Sequence, residues 1–491
     1  MSLTEWLLWL DGIFLFYYAG LCAIYLALFV LALLDSLHHQ RWVRTVPVRR
    51  VASSPFAPPV AVIVPAYNEA AGIVQSVKSL LALDYPEFEV IVVNDGSTDD
   101  TLARLRQAFA LVRLDFSYRP RISTAPVREV YASPEFPPLM VLDKENGGKS
   151  DALNAGLNLC HSAFFCTMDA DGMLEKDALM RGMLPVFNDR SVVATGGVVR
   201  VANGCRFHQG QLREVRLPSG VLEILQVIEY LRAFLWGRQG WSALGSLLII
   251  SGAFGLFRRD VAVEIGGLRK GTVGEDMDLV VRLHRHLRDQ DEPYRIRFVP
   301  DPICWTEVPA TLRGLSRQRR RWQRGLGEAL WHSRGMLFRP RYGRLGWLAF
   351  PYQLVYEFYG PVVETVGLLL VAVSAFLGLL DRQYFLNLFL FAYLFGTFIS
   401  IAAVFLEEIT YHRYRHGREV VILLLFTLLE HFPYRQLVNL FRLQGTIDFL
   451  RHEHRWGHPQ RKGFEESEAK APESASSSRS SLGREKPRGA G

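Results

Sequence analysis

Met168-Asp169-Ala170-Asp171-Gly172 closes an apolar run, Ala163 to Met168, with two carboxylates two residues apart. If the run is a strand, side-chain alternation sends Asp169 and Asp171 to one side. Two like charges in one crevice repel, and a hard divalent cation, Mg²⁺ or Mn²⁺, relieves that cost while bridging to diphosphate oxygens. Metal-assisted departure of a diphosphate is the chemistry such a pair offers. A solvated turn or a helix cap accounts for the same residues, because Asp-x-Asp is common in loops.

Further polar motifs recur at the ends of apolar runs. Val93-Asn94-Asp95-Gly96-Ser97-Thr98-Asp99 places a carboxylate at an earlier strand end, followed by residues of the capping type. Asp95 stands beside Pro65-Ala66-Tyr67-Asn68-Glu69, where the Tyr67 ring and the polar groups of Glu69 and Asp95 suit a nucleobase. Asn146-Gly147-Gly148-Lys149-Ser150 fails as a phosphate loop, because Asp143 stands where that motif needs its first glycine. Lys149 at a helix start still suits a phosphate.

Gly274-Glu275-Asp276-Met277-Asp278 opens a helical stretch, Leu279 to Leu287. A carboxylate there, Asp276 or Glu275, can take a proton from an acceptor hydroxyl, and charge matching at a helix N-terminus is the other account. Gln318-Arg319-Arg320-Arg321-Trp322 combines guanidinium groups suited to diphosphate oxygens with an indole suited to a sugar ring. An amphipathic helix on a membrane surface explains the same segment, and both can hold.

The elements that must position these residues are β-branched runs alternating with helical patterns from Pro59 to about Arg339, as a largely parallel α/β sheet requires. Strands are expected at Val60 to Val64, Phe88 to Val93, Leu139 to Leu142 and Ala163 to Met168. Helices are expected at Ala70 to Leu83, Thr98 to Phe109, Ser150 to Leu159 and from near Glu175. Asn94, Asp95, Asp169 and Asp171 then fall at the carboxyl ends of strands, where open α/β sheets bind ligands.

A chain of 491 residues with 49% hydrophobic content is too long and too apolar for one soluble domain. Ile13 to Leu34 is uncharged and long enough to cross a bilayer core of about 30 Å. Glu5 and Asp11, with no Lys or Arg before the run, argue against a cleaved signal peptide. Arg41, Arg44, Arg49 and Arg50 set the following side in the cytosol and the N-terminus outside. Leu345 to Leu380, interrupted by Pro351, Glu357, Pro361 and Glu364, reads as a kinked piece leading into one span, and Tyr384 to Leu406 as a cleaner second span. Val420 to Leu440 is ambiguous: it contains Glu430, His431, Pro433 and Arg435, a pattern for a channel-facing or re-entrant helix, and a full crossing would leave the basic tail from Arg442 outside, against the positive-inside tendency, so a cytosolic tail is expected.

The expected division is an N-terminal membrane helix at 1–35, a basic linker at 36–58 and a catalytic domain at 59–312. An interfacial helix at 313–344, membrane or interfacial helices at 345–441, a basic segment at 442–464 and a disordered tail at 465–491 follow. Cys22, Cys160, Cys166, Cys205 and Cys304 form no CxxC pair, so neither a disulfide scaffold nor a zinc site is indicated. The net charge of +7 sits beside apolar segments, which points to anionic lipid head groups and away from nucleic acid.

Taken in order, Pro65 to Glu69, Asp95, Lys149, Asp169-x-Asp171, Glu275-Asp276 and Gln318-Arg319-x-Arg321-Trp322 resemble the glycosyltransferase family 2 enzymes. The resemblance covers Val60 to Gly325 and is strongest to the membrane-bound processive branch of cellulose, chitin, hyaluronan and poly-N-acetylglucosamine synthases, the bacterial poly-N-acetylglucosamine group above all. It implies an α/β GT-A catalytic domain with flanking transmembrane helices. Tyr67, Glu69 and Asp95 fall at the nucleotide, Lys149 near the diphosphate, and Asp169 with Asp171 at the nucleotide and a Mg²⁺ or Mn²⁺ ion. Asp276, beside Glu275, becomes the catalytic base. Gln318, Arg321 and Trp322 come where diphosphate and growing chain meet, and Ser251-Gly252-Ala253 on the acceptor side.

The implied reaction is direct displacement, with an α-linked UDP-N-acetylglucosamine or UDP-glucose yielding a β linkage on a polysaccharide or lipid-linked acceptor. Glu357, Glu364, Glu430 and Arg435 are expected either to line the path of the product or to pair between helices. The lipid bilayer and an accessory membrane or secretion subunit are the implied partners. The chain departs from the cellulose synthase pattern in lacking an obvious C-terminal regulatory domain and in a Pro-rich stretch, Arg119 to Pro138. Addition of a single sugar to a lipid carrier shares the nucleotide site and is the competing reading. An inactive transport or scaffold subunit is a third, against which stands the filling of every expected acidic position.

Overall fold

The computed structural model describes residues 3–45, 57–115, 120–208, 211–379, 381–414 and 416–451. Arg49 and Arg50 of the basic linker, the basic segment beyond 451 and the tail at 465–491 lie outside the described residues.

Twelve strands are described: β1 (Val60–Ala66), β2 (Phe88–Asp95), β3 (Val112–Leu114), β4 (Val127–Ala132), β5 (Leu139–Lys144), β6 (Phe164–Thr167), β7 (Met173–Leu174), β8 (Val192–Val201), β9 (Arg206–His208), β10 (Gln211–Glu214), β11 (Gly255–Arg258) and β12 (Arg295–Thr306). Ten form one sheet in the order β3-β4-β5-β2-β1-β6-β11-β8-β12-β7, and β9 pairs with β10. β1 and β2 run parallel with Val62 opposite Val90, and their apolar residues are buried on both faces, which is why the sequence reads as unbroken hydrophobic runs. The chain proceeds outward from β1 to β2 and β5, then returns to β6 on the other side of β1. The strand order reverses there, so a crevice opens beyond the carboxyl ends of β1 and β6.

The helices used below are α1 (Leu3–Thr45), α2 (Ile73–Leu81), α3 (Thr101–Ala108), α4 (Lys149–Leu159), α5 (Ala178–Asn188), α6 (Val221–Leu231), α7 (Glu275–Asp289), α8 (Leu312–His332), α9 (Gly360–Phe376), α10 (Arg382–Tyr411), α11 (Gly417–Leu429) and α12 (Arg435–Leu450). Ile73, Val77 and Leu80 put one stripe of α2 against the sheet. α2 starts later than expected because Asn68 takes a left-handed conformation, φ 56°, and accepts a hydrogen bond from the Thr98 amide at 2.8 Å. That bond knits the loops after β1 and β2 together and turns the chain before the helix begins.

Among the described residues three helical stretches are long and apolar enough to cross a membrane, Gly12–Val43, Phe385–Tyr411 and Gly417–Leu450. Leu345–Phe358 and Gly360–Phe376 meet at a 44° bend next to Pro361, the kinked piece the sequence called for. The ambiguous segment is a helix broken at Phe432, whose extended backbone (φ −156°, ψ 123°) is what a residue before proline favours. Phe16, Phe376 and Ile409 point outward from these helices and are more than 70% exposed, as lipid-facing side chains would be.

The linker expected from residue 36 is helical as far as Thr45. At about 1.5 Å per residue α1 is roughly 65 Å long, twice a bilayer core. Its excess length reaches the catalytic domain, where His39 Nε2 lies 2.7 Å from the Asp301 carboxylate on β12, and the end of α10, where Gln40 donates to the Thr410 carbonyl at 3.0 Å.

Candidate active site

β6 ends at Thr167, so Asp169 and Asp171 lie in the turn that follows it. Strand alternation is therefore not what brings them together. The turn does so, closed by the Gly172 amide donating to the Asp169 carbonyl at 3.0 Å, and both carboxylates reach the same cavity.

Lys149 is the first residue of α4, set there by Gly148 at φ +86°, a conformation that side chains other than glycine's resist. Its ammonium lies 2.7 Å from Asp169 and 2.9 Å from Glu275. Burial works against that charge, but the two carboxylates outweigh it and lift the Lys149 pKa above the ordinary lysine range. Lys149 thus links the Asp-x-Asp turn to the start of α7.

At the start of α7, Asp276 accepts from the Met277 amide at 2.8 Å and from the Gly252 amide at 3.1 Å. Burial and then the neighbouring Glu275 charge raise the Asp276 pKa, against the opposing pull of Lys149 and the two amides. A Cβ on Gly252 would stand 3.0 Å from Lys149 Nζ and 3.7 Å from Asp276 Oδ2, so this backbone touches both groups. Asp278, in the same motif, is buried between Arg282 and Arg269 and serves packing.

α8 is held against this loop at several points. A Cβ on Gly274 would meet the Gly325 carbonyl at 2.7 Å, and Glu328 accepts from Thr272 Oγ1 at 2.8 Å and the Val273 amide at 2.9 Å. Gln318, Arg321 and Trp322 face the cavity, with Trp322 43% exposed at its wall. The neighbouring arginines do other work. Arg319 pairs with Glu229 of α6 at 2.7 Å and lies 4.3 Å over the Trp322 ring, while Arg320 forks onto Asp448 of α12 at 2.8 and 2.9 Å.

One cavity of about 1630 Å³ joins these parts, lined by Lys149, Asp169, Asp171, Ser251, Gly252, Glu275, Asp276, Gln318, Arg321 and Trp322. It continues past Tyr230, Arg232 and Arg238 to Glu357, Glu364, Glu430, Arg435 and Arg442 on the C-terminal helices. Glu357 pairs with Arg442 at 3.0 Å, Glu364 with Arg435 at 2.8 Å and Glu430 with Arg232 at 2.8 Å. Lining and pairing, offered as alternatives by the sequence, therefore hold together.

Tyr67, Glu69 and Asp95 are not on the wall of this cavity. Tyr67 and Glu69 are half-buried in the loop after β1. The Asp95 carboxylate is buried and turned inward. It pairs with Lys144 at 2.5 Å and accepts from the Gly147 and Gly148 amides at 3.0 and 2.8 Å. In this arrangement its direct contacts are with Lys144 and the loop that leads to Lys149.

Sequence reasoning overlooked Lys144, Glu328 and Arg238. Lys144 gives no periodic signal, since it is simply the last residue of β5, yet it is fully buried between Asp95 and Asp151, 2.7 Å away. Arg238 stood in plain view with Glu229 and Arg232 as charges in an otherwise uncharged run, Ile224 to Trp241.

Residues 61–266 match the model of glycosyl transferase family 2, and residues 166–428, more than half of the chain, match that of glycosyl transferase family group 2. The chain is a family 2 glycosyltransferase. Among its relatives, poly-β-1,6-N-acetyl-D-glucosamine synthase of Staphylococcus aureus (strain COL) is 30% identical over 265 residues, 54% of this chain and 53% of that one. The Staphylococcus epidermidis enzyme of the same name is 29% identical over 264 residues, with the same coverage. The glycosyltransferase thus spans about half the length of the curated relatives it matches. A solved mannosyltransferase, PcManGT from Pyrobaculum calidifontis in complex with GDP-Man and Mn²⁺, superposes with a TM-score of 0.51 at 20% identity, covering 88% of this chain and 100% of that one. That likeness shows the fold, the GT-A arrangement implied by the motif order.

Proposed function

We propose that this glycosyltransferase is a membrane-embedded inverting enzyme that transfers sugar from UDP-N-acetylglucosamine or UDP-glucose to a growing β-linked polysaccharide, processively and with passage of the product across the membrane. The observation that carries this reading is the single cavity running from Lys149, Asp169, Asp171 and Asp276 to the paired charges Glu357, Glu364, Glu430, Arg435 and Arg442 on apolar helices. Polar groups inside a bilayer are costly unless they line a path for something polar.

Asp169 and Asp171 fit a divalent cation of the Mg²⁺ or Mn²⁺ type. Among the described residues no cluster of three or more His, Cys, Asp or Glu forms a closed cage, and such ions bind through one or two carboxylates together with substrate phosphates. When bound, the ion would neutralise charge on the departing diphosphate. Lys149 and Arg321 add fixed positive charge on the same cavity wall. Asp276 takes the proton from the acceptor hydroxyl, its raised pKa matching it to that task, while Glu275 is occupied in holding Lys149.

Tyr67 and Glu69 are proposed to flank the uracil ring, with Asp95 acting through the Lys144-supported loop. Gln318 and Trp322 are proposed to hold the sugar chain, beside Ser251 and Gly252. The catalytic domain is proposed to lie on the cytosolic side, where nucleotide sugars are available, a reading supported by the basic flank of α1. The domain division at 59–312, 313–344 and 345–441 follows the same scheme, and an accessory membrane or secretion subunit is its proposed partner. Incubation of the purified protein with a panel of radiolabelled nucleotide sugars and either cation, followed by sizing of the product, tests the reading. Incorporation into long polymer from one UDP-sugar is expected. Single-sugar products on lipid would replace it with the non-processive alternative, and no incorporation from any donor would overturn it.

A further inference from the structure

Arg238 presents a puzzle that the donor site does not absorb. It ends a widened helical stretch, Arg232–Arg238, that continues α6, and such wide turns recur at functional positions. Its guanidinium packs 3.8 Å over the Phe234 ring and forms part of the wall of the cavity that holds Asp276. The Nη1 nitrogen is buried and has no hydrogen-bond partner among the described residues. Burial pulls the Arg238 pKa down to about 10, with Asp276 and Tyr230 as the charges that oppose the shift.

A buried donor without a partner is costly, and more so when it is charged, so a position like this is favoured where something pairs with it. Three other arginines along the cavity each have an acidic partner, Arg319 on Glu229, Arg232 on Glu430 and Arg435 on Glu364, although Arg319 Nε and Nη1 are also buried without a partner among the described residues. Gln318 Oε1, on the same cavity, is also buried without a partner among the described residues. Unmet donors and acceptors facing one polar space suit a neutral, many-hydroxyled ligand better than an ion. The diphosphate already has Lys149 and the Asp-x-Asp turn.

We propose that Arg238 is an acceptor-binding residue: its guanidinium donates to an oxygen of the acceptor's terminal sugar, a ring hydroxyl or an acetamido carbonyl, and so turns the nucleophilic hydroxyl towards Asp276. This rests on the assignment of Asp276 as base and of the cavity as the site of transfer. Phe234, Trp241 and Tyr230 contribute apolar wall to the cavity beside it, and the half-exposed Trp322 ring is the apolar face open to a sugar.

The test compares wild type with Arg238→Gln and Arg238→Lys, using UDP-N-acetylglucosamine and UDP-glucose as the two donors. UDP released per sugar incorporated into product is measured together with the dissociation constant for UDP and the melting temperature. For Arg238→Gln the ratio of release to incorporation rises by roughly tenfold, because water replaces a poorly held acceptor, while UDP affinity and melting temperature stay at wild-type values. Arg238→Lys, which keeps the charge and loses the planar fork, falls between. A rise confined to the N-acetylated donor identifies the acetamido carbonyl, and a rise with both identifies a ring hydroxyl. An unchanged ratio, or UDP affinity that weakens in step with rate, overturns the proposal. If wild type itself releases no UDP from either donor, the functional reading beneath it has failed instead.

Discussion

Lys144 and Lys149 stand five residues apart and their loss should have opposite consequences. Lys144 is fully buried, with its ammonium 2.5 Å from Asp95, 2.7 Å from Asp151 and 2.6 Å from the Glu145 carbonyl. Lys144→Met strands two buried carboxylates, of which Asp151 keeps Lys270 at 2.6 Å and Asp95 keeps only amides. Breaking one side of a buried ion pair costs about 3–5 kcal/mol, or a fall in melting temperature of roughly 10 °C for a domain of this size. Lys149 is 29% exposed and its partners face the cavity, so Lys149→Met leaves charges that water can reach. Its cost belongs to the donor: one charged hydrogen bond to diphosphate is worth about 1.5–3 kcal/mol, roughly a 10- to 100-fold loss of UDP affinity. Because the Lys149 pKa is raised, its charge is complete below the ordinary lysine value of 10.5, and the effect of Lys149→Met should not vary between pH 6 and 9. Thermal unfolding of the detergent-purified variants and UDP titration calorimetry read the two quantities separately. Lys144→Met melting with wild type, or Lys149→Met binding UDP with wild-type affinity, would refute the division of labour.

Asp276→Asn should bind UDP normally and lose at least 100-fold in transfer, measured as labelled sugar incorporated; a near-normal rate would remove it as base. A raised Asp276 pKa means that the protonated, inactive form persists to higher pH than for an ordinary carboxylate, so the acid limb of the rate profile should lie above the ordinary carboxylate range and move with substitutions at Glu275. His284 accepts from Tyr294 OH on Nδ1 and donates to the Leu247 carbonyl from Nε2, both at 2.8 Å, and burial lowers its pKa from 6.5 to about 4. The unfolded chain then binds the extra proton first, so about 3 kcal/mol of stability should be lost as pH falls from 6.5 to 4, and melting curves of His284→Asn should show a shallower acid decline. Gly274→Ala would force a methyl to within 2.7 Å of the Gly325 carbonyl, parting the Asp276 loop from α8, and should cut transfer more than 10-fold while leaving UDP affinity within a factor of two.

Much of the architecture was legible because it rests on local pattern. The apolar runs that became β1, β2, β5 and β6 are buried on both faces, and their boundaries fell within a few residues of expectation. Lys149, Asp169, Glu275 and Gly252 were found as separate motifs, and only the fold could show that one ammonium joins two of them. What the sequence concealed is direction. Asp95 reads as a binding residue from its place at a strand end, but Lys144, whose partner lies 49 positions away, turns it inward. Arg319, Arg320 and Arg321 are equivalent in the sequence, yet successive residues on a helix face different ways, and only Arg321 is left to the cavity without a described acidic clamp of the kind that Glu229 and Asp448 provide. Arg238 lacked any motif at all; its significance comes from a partner that is missing among residues distant in sequence.

The continuity of one polar cavity from the carboxylates at the end of β6 to the charged pairs among the apolar helices is most directly tested in inside-out membrane vesicles. Given labelled UDP-sugar and Mn²⁺, the vesicles should trap labelled polymer in the lumen, resistant to an added glycosidase until detergent is supplied. Polymer digested without detergent, or label that never leaves the donor, would contradict the account.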